Sequence, residues 1–185
     1  MESIRKIKNW LQRPKSKFAE TIESFVVAIL LALFIRATIA EARFIPSESM
    51  LPTLEVGDRL LVEKVSYHFR SPVRGDIIVF DPPVQSSFGP RNAFIKRIVG
   101  TPLDTVEVKD GKVFLNDKPL SENYVKEAPG YVMAKITVPK DQLFVMGDNR
   151  NNSVDSHVWG FLPRKNIIGR AFFRFWPPLR MGVQL

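Results

Sequence analysis

Two serines two residues apart, Ser47 and Ser49, lie between Pro46 and Pro52 in the run Pro46-Ser47-Glu48-Ser49-Met50-Leu51-Pro52. Proline fixes its own φ, and Pro52 biases Leu51 away from the helical region, so the run reads as a stiff loop. In an extended loop, side chains at i and i+2 share a face, which lets both hydroxyls converge on one carbonyl. A serine hydroxyl is a weak nucleophile at its own pKa and needs a base within hydrogen-bond reach. Candidate bases are few: the chain has two histidines, His68 and His157, and no cysteine. Disulfides, thiol catalysis and thiolate metal sites are excluded, and a histidine-rich metal centre is not expected. The bland alternative is that the serine run is only a polar turn.

Three further segments bear on that choice: Gly75-Asp76-Ile77-Ile78-Val79-Phe80, Phe94-Ile95-Lys96-Arg97-Ile98-Val99-Gly100, and Gly147-Asp148-Asn149-Arg150-Asn151-Asn152-Ser153-Val154-Asp155-Ser156. In this order, behind an apolar helix, the four segments together resemble the type I signal peptidases, membrane-anchored serine proteases with a serine–lysine dyad. The resemblance runs from the helix to about Trp176. It implies Ser49 as nucleophile, Lys96 as general base, Ser47 with the Ser49 N–H as oxyanion donors, and Ser153 as the hydroxyl that orients the lysine amine. Ile95, Ile98 and Val99 make a lowered lysine pKa chemically reasonable, because desolvation disfavours an ammonium. In a strand, Lys96 points opposite to Ile95 and Arg97, so part of its apolar cage must come from other strands. Alone, such a lysine would read as an edge-strand charge that deters aggregation.

Asp148, Arg150 and Asp155 read as structural support, with Arg97 as the partner of Asp148. Ile45, Met50 and Ile95 flank the dyad and are the candidates for shallow pockets that admit only small side chains. At position 157 the sequence departs from the commonest family pattern, in which arginine follows Asp-Ser. Histidine there resembles the cyanobacterial and plastid branch. It also raises a rival mechanism, a Ser49–His157–Asp triad.

These residues need an architecture to hold them. Eleven apolar residues, Phe25–Ile35, precede Arg36, and Ala37–Ala40 follow. An anchor over 23–42, a basic tail over 1–22 and an exported catalytic β domain over 43–185 are expected. The tail carries six basic and two acidic residues, net +4, which predicts a cytoplasmic N-terminus and an outer or lumenal catalytic domain in a plasma or thylakoid membrane. The tail holds half of the formal charge of +8 and is read as lying on anionic lipid headgroups, not as a nucleic-acid patch. A cleavable signal peptide competes with the anchor, since Ala40-Glu41-Ala42 offers a small-x-small site before Arg43.

Beyond residue 42, short Val-, Ile- and Phe-rich runs broken by turns predict antiparallel strands over 59–65, 76–80, 93–99, 105–108, 113–115, 131–138, 142–146 and 167–175. Asp110-Gly111 predicts a two-residue hairpin. Segments 82–92 and 116–130 read as surface loops. The fold class is mainly β behind a single helix, and the resemblance implies coiled sheets forming a half-open barrel with a long substrate groove. Phe161, Phe172, Phe173, Phe175 and Trp176 are read either as a membrane-dipping face or as a core strand.

The function expected is removal of signal peptides from exported preproteins after small-x-small sites, with preproteins and the lipid bilayer as partners and no cofactor, metal or nucleic acid. A self-cleaving repressor would need a DNA-binding domain for which 48 residues containing an apolar helix leave no room. The remaining alternative is a non-catalytic membrane-tethered β domain serving as a scaffold or binding module.

Overall fold

The computed structural model describes residues 16–83 and 93–183. Most of the basic tail and of the 82–92 loop therefore lies outside the described residues. The chain divides into two units, Met1–Thr38 and Ile39–Leu185.

The first unit contains helix α1, Lys17–Thr38. It starts six residues before the expected anchor and ends four residues before its expected close. Helical amide bonding does not stop where polar residues begin. Ser16 Oγ accepts from the Ala19 N–H (3.2 Å) and caps the N-terminus. Thr21, Ser24 and Thr38 each donate their hydroxyl to the carbonyl four residues back, at 2.8–2.9 Å. Those polar groups are thereby satisfied within the helix, as an apolar surrounding requires. None of the helix is buried against protein. Its 22 residues span roughly 33 Å, more than a hydrocarbon core of ~30 Å, whereas the apolar run alone would fall short. This is the one helix among the described residues long and apolar enough to cross a membrane.

The second unit is β structure. Strands β1 (Ala40–Phe44), β2 (Arg59–Glu63), β3 (Ile77–Phe80), β4 (Phe94–Gly100), β9 (Gln142–Met146), β10 (Leu162–Pro163) and β11 (Ile167–Trp176) make a sheet in the order β1-β2-β11-β3-β4-β9-β10. A second sheet, β7-β6-β5-β8, uses β5 (Thr105–Lys109), β6 (Lys112–Leu115), β7 (Lys118–Pro119) and β8 (Met133–Thr137). All pairings are antiparallel. The larger sheet curls without closing, since β1 and β10 are its unpaired edges. The expected mainly β, half-barrel fold is what the chain forms.

Local chemistry explains the details. Asp110 and Gly111 both have positive φ (50° and 67°) and join β5 to β6 with Lys109 opposite Lys112, a type I′ hairpin. Gly169 in β11 lets the backbone of β2 approach: an added Cβ would lie 2.3 Å from the Glu63 carbonyl oxygen. Strand β1 was not expected, because its residues Ala40-Glu41-Ala42-Arg43-Phe44 look like the helix exit. It pairs residue for residue with β2, Ala42 opposite Leu61. The small-x-small segment is thus bound into a sheet. The aromatic run divides: Phe161 packs edge-on against Phe144 in the core with Val99, Val106 and Met146, while Trp176 is half exposed.

Candidate functional site

Strand β4 carries Lys96 into the interior, where it is 5% exposed. Its cross-strand neighbour on β3 is Ile78, and the Phe94 ring lies 5.6 Å from Nζ, so the apolar surroundings do come partly from another strand. Lys96 Nζ donates to Ser49 Oγ at 2.7 Å and to the Ile95 carbonyl at 3.0 Å. Burial pushes the Lys96 amine down to about 8, against the opposing pull of Asp155 and Asp148. An amine poised there is substantially neutral at mildly alkaline pH, and its lone pair can then accept the Ser49 proton along the same 2.7 Å contact. Ser47 Oγ lies 3.4 Å from Ser49 Oγ, on the same side as the i, i+2 spacing anticipates.

The loop bearing Ser49 is pinned from outside. Asn149 donates its backbone N–H to the Ser49 carbonyl and its side-chain amide to the Glu48 carbonyl, both at 3.1 Å. Gly147 lies beneath: an added Cβ would sit 2.3 Å from Ser153 Oγ and 2.4 Å from the Ser49 carbonyl oxygen. Only glycine permits that approach. Arg150, almost wholly buried, donates to the Gly147 carbonyl (3.0 Å) and makes a two-pronged pair with Glu122 (2.8 and 2.6 Å).

Arg97 and Asp148 pair as expected, with two bonds of 2.8 and 2.7 Å. Thr53 donates to the same carboxylate (2.6 Å), and Tyr124 stacks under the guanidinium at 4.0 Å. Asp155 is fully buried. It accepts from the Gly147 N–H (2.8 Å), Ser153 Oγ (2.5 Å), and the Nδ1 and backbone N–H of His157 (2.7 and 3.2 Å). Ser153 thus gives its proton to Asp155, which leaves its oxygen lone pairs as acceptors; its expected bond to the Lys96 amine is not among the contacts Lys96 makes. Ser153 lines the same groove as Lys96. His157 contacts Asp155 and stacks on Tyr131 at 4.3 Å; the hydroxyl of Ser49 is engaged by Lys96 and Ser47 instead.

Two cavities flank Ser49 and Lys96. One of about 540 Å³ is lined by the loop from Pro46 to Ser49, by Ala93–Lys96 and by Asn152–Val154. The other, about 330 Å³, is lined by Ala42–Pro46, Val79, Ala93 and Ile95. Ile95 lines both cavities and Ile45 the second. Met50 lines neither: it is sealed in the core with Ile45, Leu54 and Leu60, because the turn after Ser49 directs it inward. Thr53, Glu122, Tyr124 and the role of Asn149 were not legible in sequence. The contact from Asp148 to Thr53 spans 95 residues, and nothing local marks it.

The chain belongs to the signal peptidase family, peptidase S26, whose model matches residues 18–176, and it is a peptidase of the type I class. It is 55% identical to a signal peptidase I of Leptolyngbya laminosa, over 90% of this chain and 84% of that one. It is 58% identical to a probable signal peptidase I-1 of Synechocystis sp., over 88% and 85%. Thylakoidal processing peptidase 1 of Arabidopsis thaliana is 44% identical over 94% of this chain and 53% of that one. These relatives place it on the cyanobacterial and plastid branch. A crystal structure of a signal peptidase I from Enterococcus faecalis matches with TM-score 0.47 and 30% identity, over 55% of this chain and 97% of that one.

The packing under Ser49 yields a sharp expectation. Gly147→Ala must move either the Ser49 carbonyl or Ser153, and a displacement near 1 Å costs roughly 100-fold in rate. Peptidase assays with parallel thermal melts should show that loss in kcat while the protein stays folded. Near-parental turnover would mean the loop has slack that the distances deny.

Proposed function

We propose that this protein is a membrane-bound serine endopeptidase that removes N-terminal signal peptides from exported preproteins after small-x-small sites. The observation that carries the reading is the 2.7 Å contact between the buried Lys96 amine and Ser49 Oγ. Neutral Lys96 takes the Ser49 proton as Oγ attacks the scissile carbonyl. The oxyanion is held by the Ser47 hydroxyl and the Ser49 N–H, donors whose loss would cost about 10²–10³ in rate. The Lys96 ammonium then gives its proton to the leaving amine, and water deprotonated by Lys96 releases the acyl group. Ile45 and Ile95, with Val79 and Ala93, leave room for small side chains before the scissile bond. The preprotein binds extended, by strand addition.

The α1 helix spans the plasma or thylakoid membrane once. The basic tail stays in the cytoplasm and the β unit faces the outside or lumen. A tethered protease meets a membrane-held substrate at raised local concentration. Retention of α1 is favoured by the pairing of Ala40–Ala42 into the sheet, since a scissile segment must be free to enter a groove. Protease protection of sealed vesicles and mass spectrometry of the extracted protein test this. The expected chain begins near Met1 with its β unit digestible from the outer side; a soluble chain beginning at Arg43 would reverse the assignment.

The dyad is tested by variants and by pH. Ser49→Ala and Lys96→Ala should abolish preprotein cleavage in detergent, while His157→Ala keeps measurable turnover. In the parent, kcat/KM should rise through an acid limb near 8, set by the amine pKa of about 8. Lys96 also carries a stability cost. With a folded pKa below the ordinary 10.5, the folded state holds fewer protons than the unfolded one between those values. Stability then rises with pH across that window, and the penalty at neutral pH is about 3 kcal/mol. Lys96→Met should therefore melt higher than the parent at pH 7 and be inactive. A Lys96 variant that still cuts would end the lysine-base mechanism and promote the histidine triad.

A further inference from the structure

We propose that His157 is a positioning residue for the Lys96 site, acting through the Asp155 carboxylate, which also holds the Ser153 hydroxyl. The inference rests on the Ser49–Lys96 reading above and names a residue that this reading leaves without a role. A carboxylate offers about four acceptor sites. On Asp155 all four are taken: Oδ2 by the Gly147 N–H and Ser153 Oγ, Oδ1 by the backbone N–H and Nδ1 of His157. The carboxylate accepts only, so His157 Nδ1 carries the proton. The strongest bond to Oδ1 is this 2.7 Å contact; the backbone bond is longer, at 3.2 Å. Tyr131, stacked 4.3 Å away with the rings 15° apart, fixes the imidazole plane.

The saturation matters because Asp155 acts electrostatically on Lys96. Without the Nδ1–H, a fully buried carboxylate loses its best donor on one oxygen. The other charged groups near it are already committed. Arg150 is paired with Glu122, and Arg97 with Asp148. Tyr131, whose hydroxyl is held far above its usual pKa chiefly by burial, brings no charge. Among the described residues, a cation on which Asp155 acts is Lys96. An under-coordinated Asp155 stabilises the Lys96 ammonium and draws Ser153 away from its present orientation, and the amine becomes harder to deprotonate. His157 is not among the residues that line the groove, so the effect is expected on the amine and not on KM.

The test compares His157→Phe, which keeps a ring against Tyr131 and removes the donor, with His157→Asn, which keeps a donor near the Nδ1 position and removes the ring. The readout is the pH profile of kcat/KM for a preprotein with the full chain in detergent. His157→Phe should move the acid limb alkaline by about half to one unit, a roughly 3- to 10-fold loss below the limb, with KM unchanged and activity recovered above it. His157→Asn should restore the parental limb. A parental limb in His157→Phe, or an equal displacement in both variants, overturns the proposal. If His157→Phe does not fold, the unmodified protein decides. Across the acid limb, the His157 ring-nitrogen NMR resonance should show an inflection that is absent in Lys96→Ala, and no such inflection overturns the idea. The two readings fail separately: a Lys96→Ala enzyme that still cuts refutes the dyad, while an inactive Lys96→Ala with an unshifted His157→Phe refutes only the role given to His157.

Discussion

A lysine kept in the interior without a carboxylate in salt-bridge reach is the constraint on which this site depends. Among the described residues, no ion pair includes Lys96. A buried ammonium ordinarily recruits an acid or loses its proton. Two acids are close enough to act on it, Asp148 and Asp155, and either could trap it as an ion pair. Each is instead occupied. Asp148 is held by Arg97 and Thr53, and Asp155 by Ser153, Gly147 and His157. Much of the polar structure around the dyad can be read as keeping these two carboxylates engaged elsewhere.

The same contacts also set position. Arg97 follows Lys96 on β4, so the bond that occupies Asp148 ties the lysine strand to the Gly147–Asn152 turn. Asn149 from that turn holds the Ser49 loop by two bonds. Ser49, Lys96 and Ser153 therefore share one rigid frame rather than three separate loops. Glu122 and Tyr124 close it from outside by covering Arg150 and Arg97.

Much of this was legible in the sequence because its signals are local. Strand runs, the Asp110-Gly111 hairpin and the serine spacing each follow from residues within a few positions. The Arg97–Asp148 pair could be anticipated because the motifs bring together a buried cation and a buried anion. The failures have a common cause. Strand β1 owes its existence to β2, almost twenty residues on. Met50 turns inward because the core beneath the loop needs filling, not because of anything beside it. The helix boundaries were set by apolar content, whereas amide bonding and hydroxyl back-bonding carried the helix further toward the N-terminus.

The central place of β11 has a consequence for how the molecule comes into being. The last long strand of the chain lies between β2 and β3. Arg174 and Arg180, from its end and just beyond, grip the Thr53 carbonyl at 2.8 and 3.3 Å. Thr53 is also the residue whose hydroxyl reaches Asp148. The larger sheet cannot be completed until nearly all of the polypeptide has been made, because such distant pairings form late. A nascent chain thus lacks the frame that seats Ser49 until β11 is in place. Strand order alone thereby delays assembly of the Ser49 loop until the end of synthesis.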